Sequence, residues 1–116
     1  MKVQETDTSL ETLLDLDGQV FLINEKARYW VKFVVKRVPA TAVRPQGLSY
    51  SLTLHNADNA RVLGFDNAHA IKPHPTHDHR HEGERVKPYL YTDALTLLQD
   101  FWQAVDKHLQ QEGIIP

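Results

Sequence analysis

The chain has 116 residues, 41% of them hydrophobic and 24% charged, with a net charge of −2 when histidine is neutral. That is apolar matter for one core and not two, so a single domain over residues 1–116 is expected; neither a disordered composition nor a nucleic-acid coat of strongly basic character fits a pI of about 6.4. The absence of cysteine excludes disulfide scaffolds and thiolate metal sites, and leaves His, Asp and Glu to hold any metal.

The opening "MKVQETDTSLETLLDL" lacks the basic, apolar and small-residue blocks of a secretory signal, and no apolar stretch approaches membrane-spanning length. A cytoplasmic protein with no membrane partner is expected. Residues 1–9 are polar and expected to fray. In "LETLLDLDGQVFLIN" the Asp17-Gly18 pair between two apolar runs predicts a hairpin. A short helix from Thr8 competes, because Thr8 and Glu11 have capping-box spacing. The hairpin is the favoured reading.

"RYWVKFVVKRV" is the clearest strand. Tyr29, Val31, Phe33 and Val35 alternate onto one face, and Arg28, Trp30, Lys32, Val34 and Lys36 onto the other. Pro39, Pro45 and Gly47 break the chain into a loop. "LSYSLTLH" alternates again, with Leu48, Tyr50, Leu52 and Leu54 inward and Ser49, Ser51, Thr53 and His55 outward. After a turn at Asn56 to Asn59, "RVLGFDN" returns with Leu63 and Phe65 inward and Gly64 and Asp66 outward.

Between residues 68 and 88 the periodicity is lost and a His-rich loop is expected. A helix over residues 92–111 closes the chain. Thr92 suits its N-cap, Asp93 suits the positive end of its dipole, and Gly113 suits its stop. Leu95, Leu98, Trp102, Val105 and Leu109 repeat at three-four spacing, with Phe101 widening the stripe. The predicted fold is α+β: a mostly antiparallel sheet of about five strands with this C-terminal helix packed on one face.

A sheet covered on one face leaves the other for water or ligands. That face collects Ser49, Ser51, Thr53, His55, Gly64 and Asp66, beside the row Arg28, Trp30, Lys32 and Lys36. Basic residues flanking an aromatic suit phosphates and bases, so this row is the candidate nucleic-acid-binding surface; a solvated sheet face has the same composition. Gly64 leaves room beside Asp66, or marks a bulge. Asp66 with Asn67 equally suits a turn cap.

The segment "HPTHDHRH" carries His74, His77, His79 and His81, with His69 just upstream. In an extended chain alternate histidines lie about 6.6 Å apart on one side, so a neighbouring pair such as His77 and His79 can converge on zinc or another divalent metal. His77 and His81, about 13 Å apart, cannot share one ion unless the chain bends. A third ligand would come from Asp66, His69 or His74. Metal-free acid–base chemistry is the second use of such a run, because imidazole titrates near neutrality. Arg80, Lys72 or Arg85 would then stabilise phosphate charge. RNA cleavage fits this set, since the 2′-hydroxyl is an internal nucleophile. A polar loop whose imidazoles bond Asp78, Glu82 or backbone carbonyls is the plain alternative.

"YSLTLH", "GFDNAH", "HDHRH" and "KPYLYTDALTLLQDFWQAVD", in this order, resemble the toxin–antitoxin system TumE-like family of small bacterial proteins, over roughly residues 11 to 110. The resemblance implies a small cytoplasmic toxin component encoded beside a helix-turn-helix antitoxin. It places the family's polar signature on Asp66, Asn67, His79 and His81. The histidine segment here is richer than the family pattern, and the stretch from Ala68 to Thr76 is longer. The resulting expectation is a toxin acting on RNA, possessing His79 and His81 as acid and base, Asp66 to orient an imidazole, and Arg80 to stabilise phosphate. The alternative is a non-enzymatic binding module with a His-based metal site or a partner-protein interface.

Overall fold

The computed structural model describes residues 8–42, 44–67 and 78–116. Helix α1 (Thr8–Asp15) is followed by strands β1 (Val20–Asn24), β2 (Tyr29–Arg37), β3 (Leu48–His55), β4 (Arg61–Asp66), β5 (His79–Glu82) and β6 (Arg85–Pro88), and helix α2 (Ala94–Gln111). The six strands form one sheet in sequential order, every neighbouring pair antiparallel. The α+β class is as the sequence predicts, with one strand more.

That strand count follows from a hairpin where a loop is expected. Residues 79–88 pair as β5 and β6 across a two-residue turn, Gly83-Glu84, with Gly83 at φ 61. The glycine stands at the first central position, where a hairpin turn of opposite hand to the common types needs positive φ. Alternation failed to announce these strands because His79, Arg80, His81 and Glu82 put polar side chains on both faces. The rest of the expected loop, residues 68–77, lies outside the described residues, as does most of the expected frayed segment, residues 1–7.

A second correction falls at the other end. Residues 8–15 form a helix, not the first arm of a hairpin. Leu10, Leu13 and Leu14 have helical spacing and pack toward the core, Leu13 with no exposed surface. The Asp17-Gly18 pair joins α1 to the sheet instead. Gly18 N donates to Phe33 O at 2.8 Å, and Asp17 Oδ1 accepts from Val35 N at 2.9 Å. Both partners lie on β2, so the turn is docked sideways on that strand.

The core lies between one sheet face and α2. Val31, Phe33 and Val35 of β2, Leu48, Tyr50, Leu52 and Leu54 of β3, and Leu63 and Phe65 of β4 are all buried. Phe101 of α2 meets Phe33 and Phe65 edge-on, with ring centroids 5.6 and 6.0 Å away. The buried stripe of α2 is Ala94, Leu97, Phe101, Ala104, Val105 and Leu109. This is rotated from the expected one: Leu95 and Trp102 are 51% and 37% exposed. Two alanines on the stripe let the helix approach the sheet closely, which a Leu95–Trp102 face would prevent. The N-cap is Asp93 and not Thr92; its Oδ1 accepts from Thr96 N at 2.7 Å. Gly113, at φ 71, ends the helix, with Ile114 N donating to Leu109 O and Gly113 N to Gln110 O.

Candidate functional site

The strand register turns the face opposite α2 into a grid, which is exposed at Lys32, Val34 and Lys36 but, contrary to the expectation of an open face, buried at Thr53, Asp66, His79 and His81. One row across the sheet reads Val34, Ser51, Asp66, His79 and Pro88. The next reads Val20, Lys32, Thr53, Gly64, His81 and Val86. A third runs Leu22, Trp30, His55 and Arg61. Asp66, His79, His81 and His55 therefore share the face on which alternation places the polar residues.

Asp66 is held between two imidazoles. His81 Nε2 lies 2.9 Å from Asp66 Oδ2, and His79 Nδ1 lies 3.6 Å from Asp66 Oδ1. The shorter contact is a hydrogen bond; the longer one is an electrostatic neighbour. Donation from Nε2 makes Nδ1 of His81 the lone-pair nitrogen, the form a proton acceptor needs. Burial pushes the His81 pKa below its ordinary value, against the pull of Asp66 and with help from Arg61. His81 is thus a neutral imidazole, fixed in one tautomer by a carboxylate. His79 has no exposed surface.

Two further groups keep this trio in place. Asn67, fully buried, behaves as an extra strand residue: its Nδ2 donates to Leu48 O at 2.7 Å and its Oδ1 accepts from Tyr50 N at 2.9 Å. This fastens the end of β4, and Asp66 with it, to the start of β3. On the helix side of the sheet, Tyr50 donates its hydroxyl to Asp78 Oδ2 at 2.7 Å, and Tyr89 N donates to Asp78 O at 3.0 Å. Asp78 is the residue before β5, so these bonds set where His79 and His81 begin. Burial and the Asp78 carboxylate push the Tyr50 hydroxyl far above its ordinary pKa, so it remains a donor.

Gly64 is buried in the centre of the face, where its bare backbone lets Thr53 and Arg61 close over it. A Cβ there would meet Thr53 Cγ2 at 3.3 Å and Arg61 Cδ at 3.4 Å. Arg61 is present because β4 carries a bulge. His55 pairs with Arg61 while Leu54 pairs with Leu63, so Val62 is the extra residue and Arg61 joins this face. Beside it, the His55 ring stacks on Trp30, centroids 4.0 Å apart and planes 9° from parallel, and His55 Nε2 lies 2.8 Å from Thr53 Oγ1. Burial lowers the pKa of His55, and Arg61 and Lys32 lower it further.

The remaining sequence candidates are distributed as follows. Arg80 pairs in register with Phe65, which puts it on the helix side; its guanidinium carbon is 5.2 Å from the Phe65 ring centre and its Nε is 2.9 Å from Glu82 Oε2. It is not gathered with His79, His81 and Asp66. Arg85, opposite Glu82, lies on that same side. Trp30, Lys32 and Lys36 share the face opposite α2, but Lys36 Nζ is tied to Asp17 Oδ2 at 2.7 Å. Arg28, at φ 59, sits in the β1–β2 turn and lines an open cleft of about 600 Å³ with Leu22, Glu25, Trp30, Ala57 and Asn59. His69, Lys72, His74 and His77 lie outside the described residues, so the expected His77–His79 metal pair is only half described. Among the described residues no three His, Asp or Glu side chains are grouped to hold a metal ion. The placement of Arg61, Asn67's clamp and the Tyr50–Asp78 bond are structural features of this face that alternation alone misses. A bulge re-aims one side chain without marking the sequence, and Tyr50 reads as an ordinary inward aromatic.

Fold and site together define a small α+β protein with a largely buried, carboxylate-bound histidine on the sheet face opposite α2. The Toxin TumE family model matches residues 6–109, and the chain belongs to that family. Membership supports a toxin, and with it an antitoxin partner in general. No curated protein and no solved structure matches the chain. No helix among the described residues is long and apolar enough to cross a membrane.

Proposed function

We propose that this toxin acts by cleaving RNA, with His81 as its acid–base group and Asp66 as the carboxylate that orients it. The observation that carries the reading is the 2.9 Å bond between His81 Nε2 and Asp66 Oδ2. Nδ1 of His81 takes the proton of a ribose 2′-hydroxyl, and that oxygen attacks the adjacent phosphorus. The bond from phosphorus to the 5′ oxygen breaks, and the imidazolium returns its proton to that oxygen. The products are a 2′,3′-cyclic phosphate and a free 5′-hydroxyl, with no net gain or loss of protons. One imidazole serves both halves, and Asp66 stabilises its charged form between them. His79 is fully buried, so it acts as a positioning residue on the far oxygen of Asp66. Trp30, Lys32 and Arg28 extend the face as a surface for the strand, the aromatic for a base and the cations for phosphates. The inferred partner is a helix-turn-helix antitoxin.

The decisive comparison is between wild type and His81→Ala, both assayed for growth arrest on induction and for cleavage of total RNA. The variant should be folded, non-toxic and inactive, and wild-type products should carry cyclic phosphate ends. A His81→Ala protein as toxic as wild type would end this reading.

A further inference from the structure

We propose that Arg61 is the phosphate-holding residue of the sheet face opposite α2, forming with Lys32, across Thr53 and His55, an anion subsite that takes the phosphodiester beside His81. Assignment of the anion as RNA rests on the nuclease reading; the anion subsite itself stands on the geometry alone.

The sequence points to Arg80 for this task, but Arg80 lies across the sheet on Phe65 and is paired with Glu82. Arg61 differs in every respect that matters. The bulge at Val62 places it on the imidazole-bearing face, next to His55 in register and one row from His81. Its stem runs against the bare backbone of Gly64, where a side chain would crowd it. No carboxylate pairs with it among the described residues, whereas Lys36, Arg37, Arg80 and Lys87 each have one. The acid of the same face, Asp66, is already engaged by His81 and His79.

The neighbours complete a site for a tetrahedral anion. Lys32 stands opposite Thr53 in register, a second cation on the same face. Arg61, opposite His55 on β4, and Lys32, opposite Thr53 on β2, stand on either side of β3, and the positive charge of both acts on His55. A planar fork of donors on Arg61 matches two phosphate oxygens, and a third oxygen is left for the Lys32 ammonium. A phosphodiester held there presents its phosphorus to the 2′-oxygen that His81 activates.

The test uses the full chain and inorganic phosphate as the probe, followed by NMR at the Arg61 Nε–H, the His55 ring and the Gly64 amide. Phosphate should move all three in wild type. The His55 and Gly64 shifts should vanish in Arg61→Ala and survive weakly in Arg61→Lys, which keeps the charge and loses the fork. Equal shifts in wild type and Arg61→Ala, or none in wild type, would overturn the subsite. In parallel, cleavage of RNA by Arg61→Ala should fall about 10²-fold, the scale for removing one donor to a developing charge. Unchanged cleavage in that variant overturns the subsite and spares the nuclease reading. Wild-type protein that binds phosphate through Arg61 yet cuts no RNA does the reverse.

Discussion

His81 and Asp66 meet diagonally across neighbouring strands: His81 pairs in register with Gly64, and it reaches past that glycine to a carboxylate two residues further along β4. The bare backbone of Gly64 beneath it is covered by Thr53 and Arg61. A substitution there therefore tests the site more than the fold. Gly64 does not have positive φ, and a Cβ would meet Thr53 Cγ2 at 3.3 Å and Arg61 Cδ at 3.4 Å, so both side chains must shift slightly to admit it. Gly64→Ala should change stability by no more than about 1 kcal/mol, measured by urea unfolding. Gly64→Val should displace Thr53 and Arg61 and abolish RNA cleavage while the protein still unfolds cooperatively. Full activity in Gly64→Val would show that the placement of these two side chains is not used.

The lowered pKa of His81 sets the pH behaviour. As a base it must be unprotonated, so cleavage should be lost on acidification with a midpoint below the ordinary imidazole value of 6.5. Arg61 lowers this pKa and Asp66 raises it. Arg61→Ala should accordingly shift the acidic limb to higher pH. A pH–rate profile of wild type and variant checks the direction; a limb that stays in place would remove Arg61 from the electrostatics of the site.

Stability should follow the same protons. His55 and His81 both titrate lower in the folded state than the ordinary value of 6.5. Below that pH the unfolded chain binds more protons than the folded one, so stability falls as the pH drops from about 6.5 toward the folded pKa values. Replacing both with glutamine should flatten this slope in thermal melts between neutrality and mild acid.

Asn67 is the residue on which the position of Asp66 depends. In Asn67→Ala the Tyr50 N–H and the Leu48 carbonyl lose the side-chain partners that they have at 2.9 and 2.7 Å. Leaving two buried backbone groups unmatched should cost roughly 2–4 kcal/mol in urea unfolding. Asn67→Asp should do no better, because a carboxylate oxygen would face the Leu48 carbonyl.

Tyr50→Phe isolates the other clamp. The ring stays in the core, and only the bond to Asp78 at 2.7 Å is removed. A loss of about 1–3 kcal/mol is expected, together with faster amide exchange in β5 than in β2. Equal exchange in the two strands would mean that Asp78 does not anchor the histidines.

Much of this was legible from alternation. Residues 29–36, 48–55 and 63–66 each declare an inward and an outward face, and the outward set does contain Asp66 and His55. Alternation fails where both faces are polar, as in His79 to Glu82, because the helix side of β5 is lined by Arg80 and Glu82 rather than by leucine. It fails again at Arg61, since one extra residue in a strand inverts the side on which its neighbour appears. The two features that build the proposed chemistry, the β5 register and the bulge, are thus matters of pairing between strands, and no window of sequence contains them.

The sequential order of the six strands also dictates a timetable. Each strand can pair with the one made just before it, which keeps contacts local and favours folding during synthesis from the N-terminal end. Asp66 is laid down before either of its imidazoles, and the helix carrying Phe101 leaves the ribosome after both. A nascent chain that stops before residue 79 holds most of the sheet and none of the two histidines around Asp66.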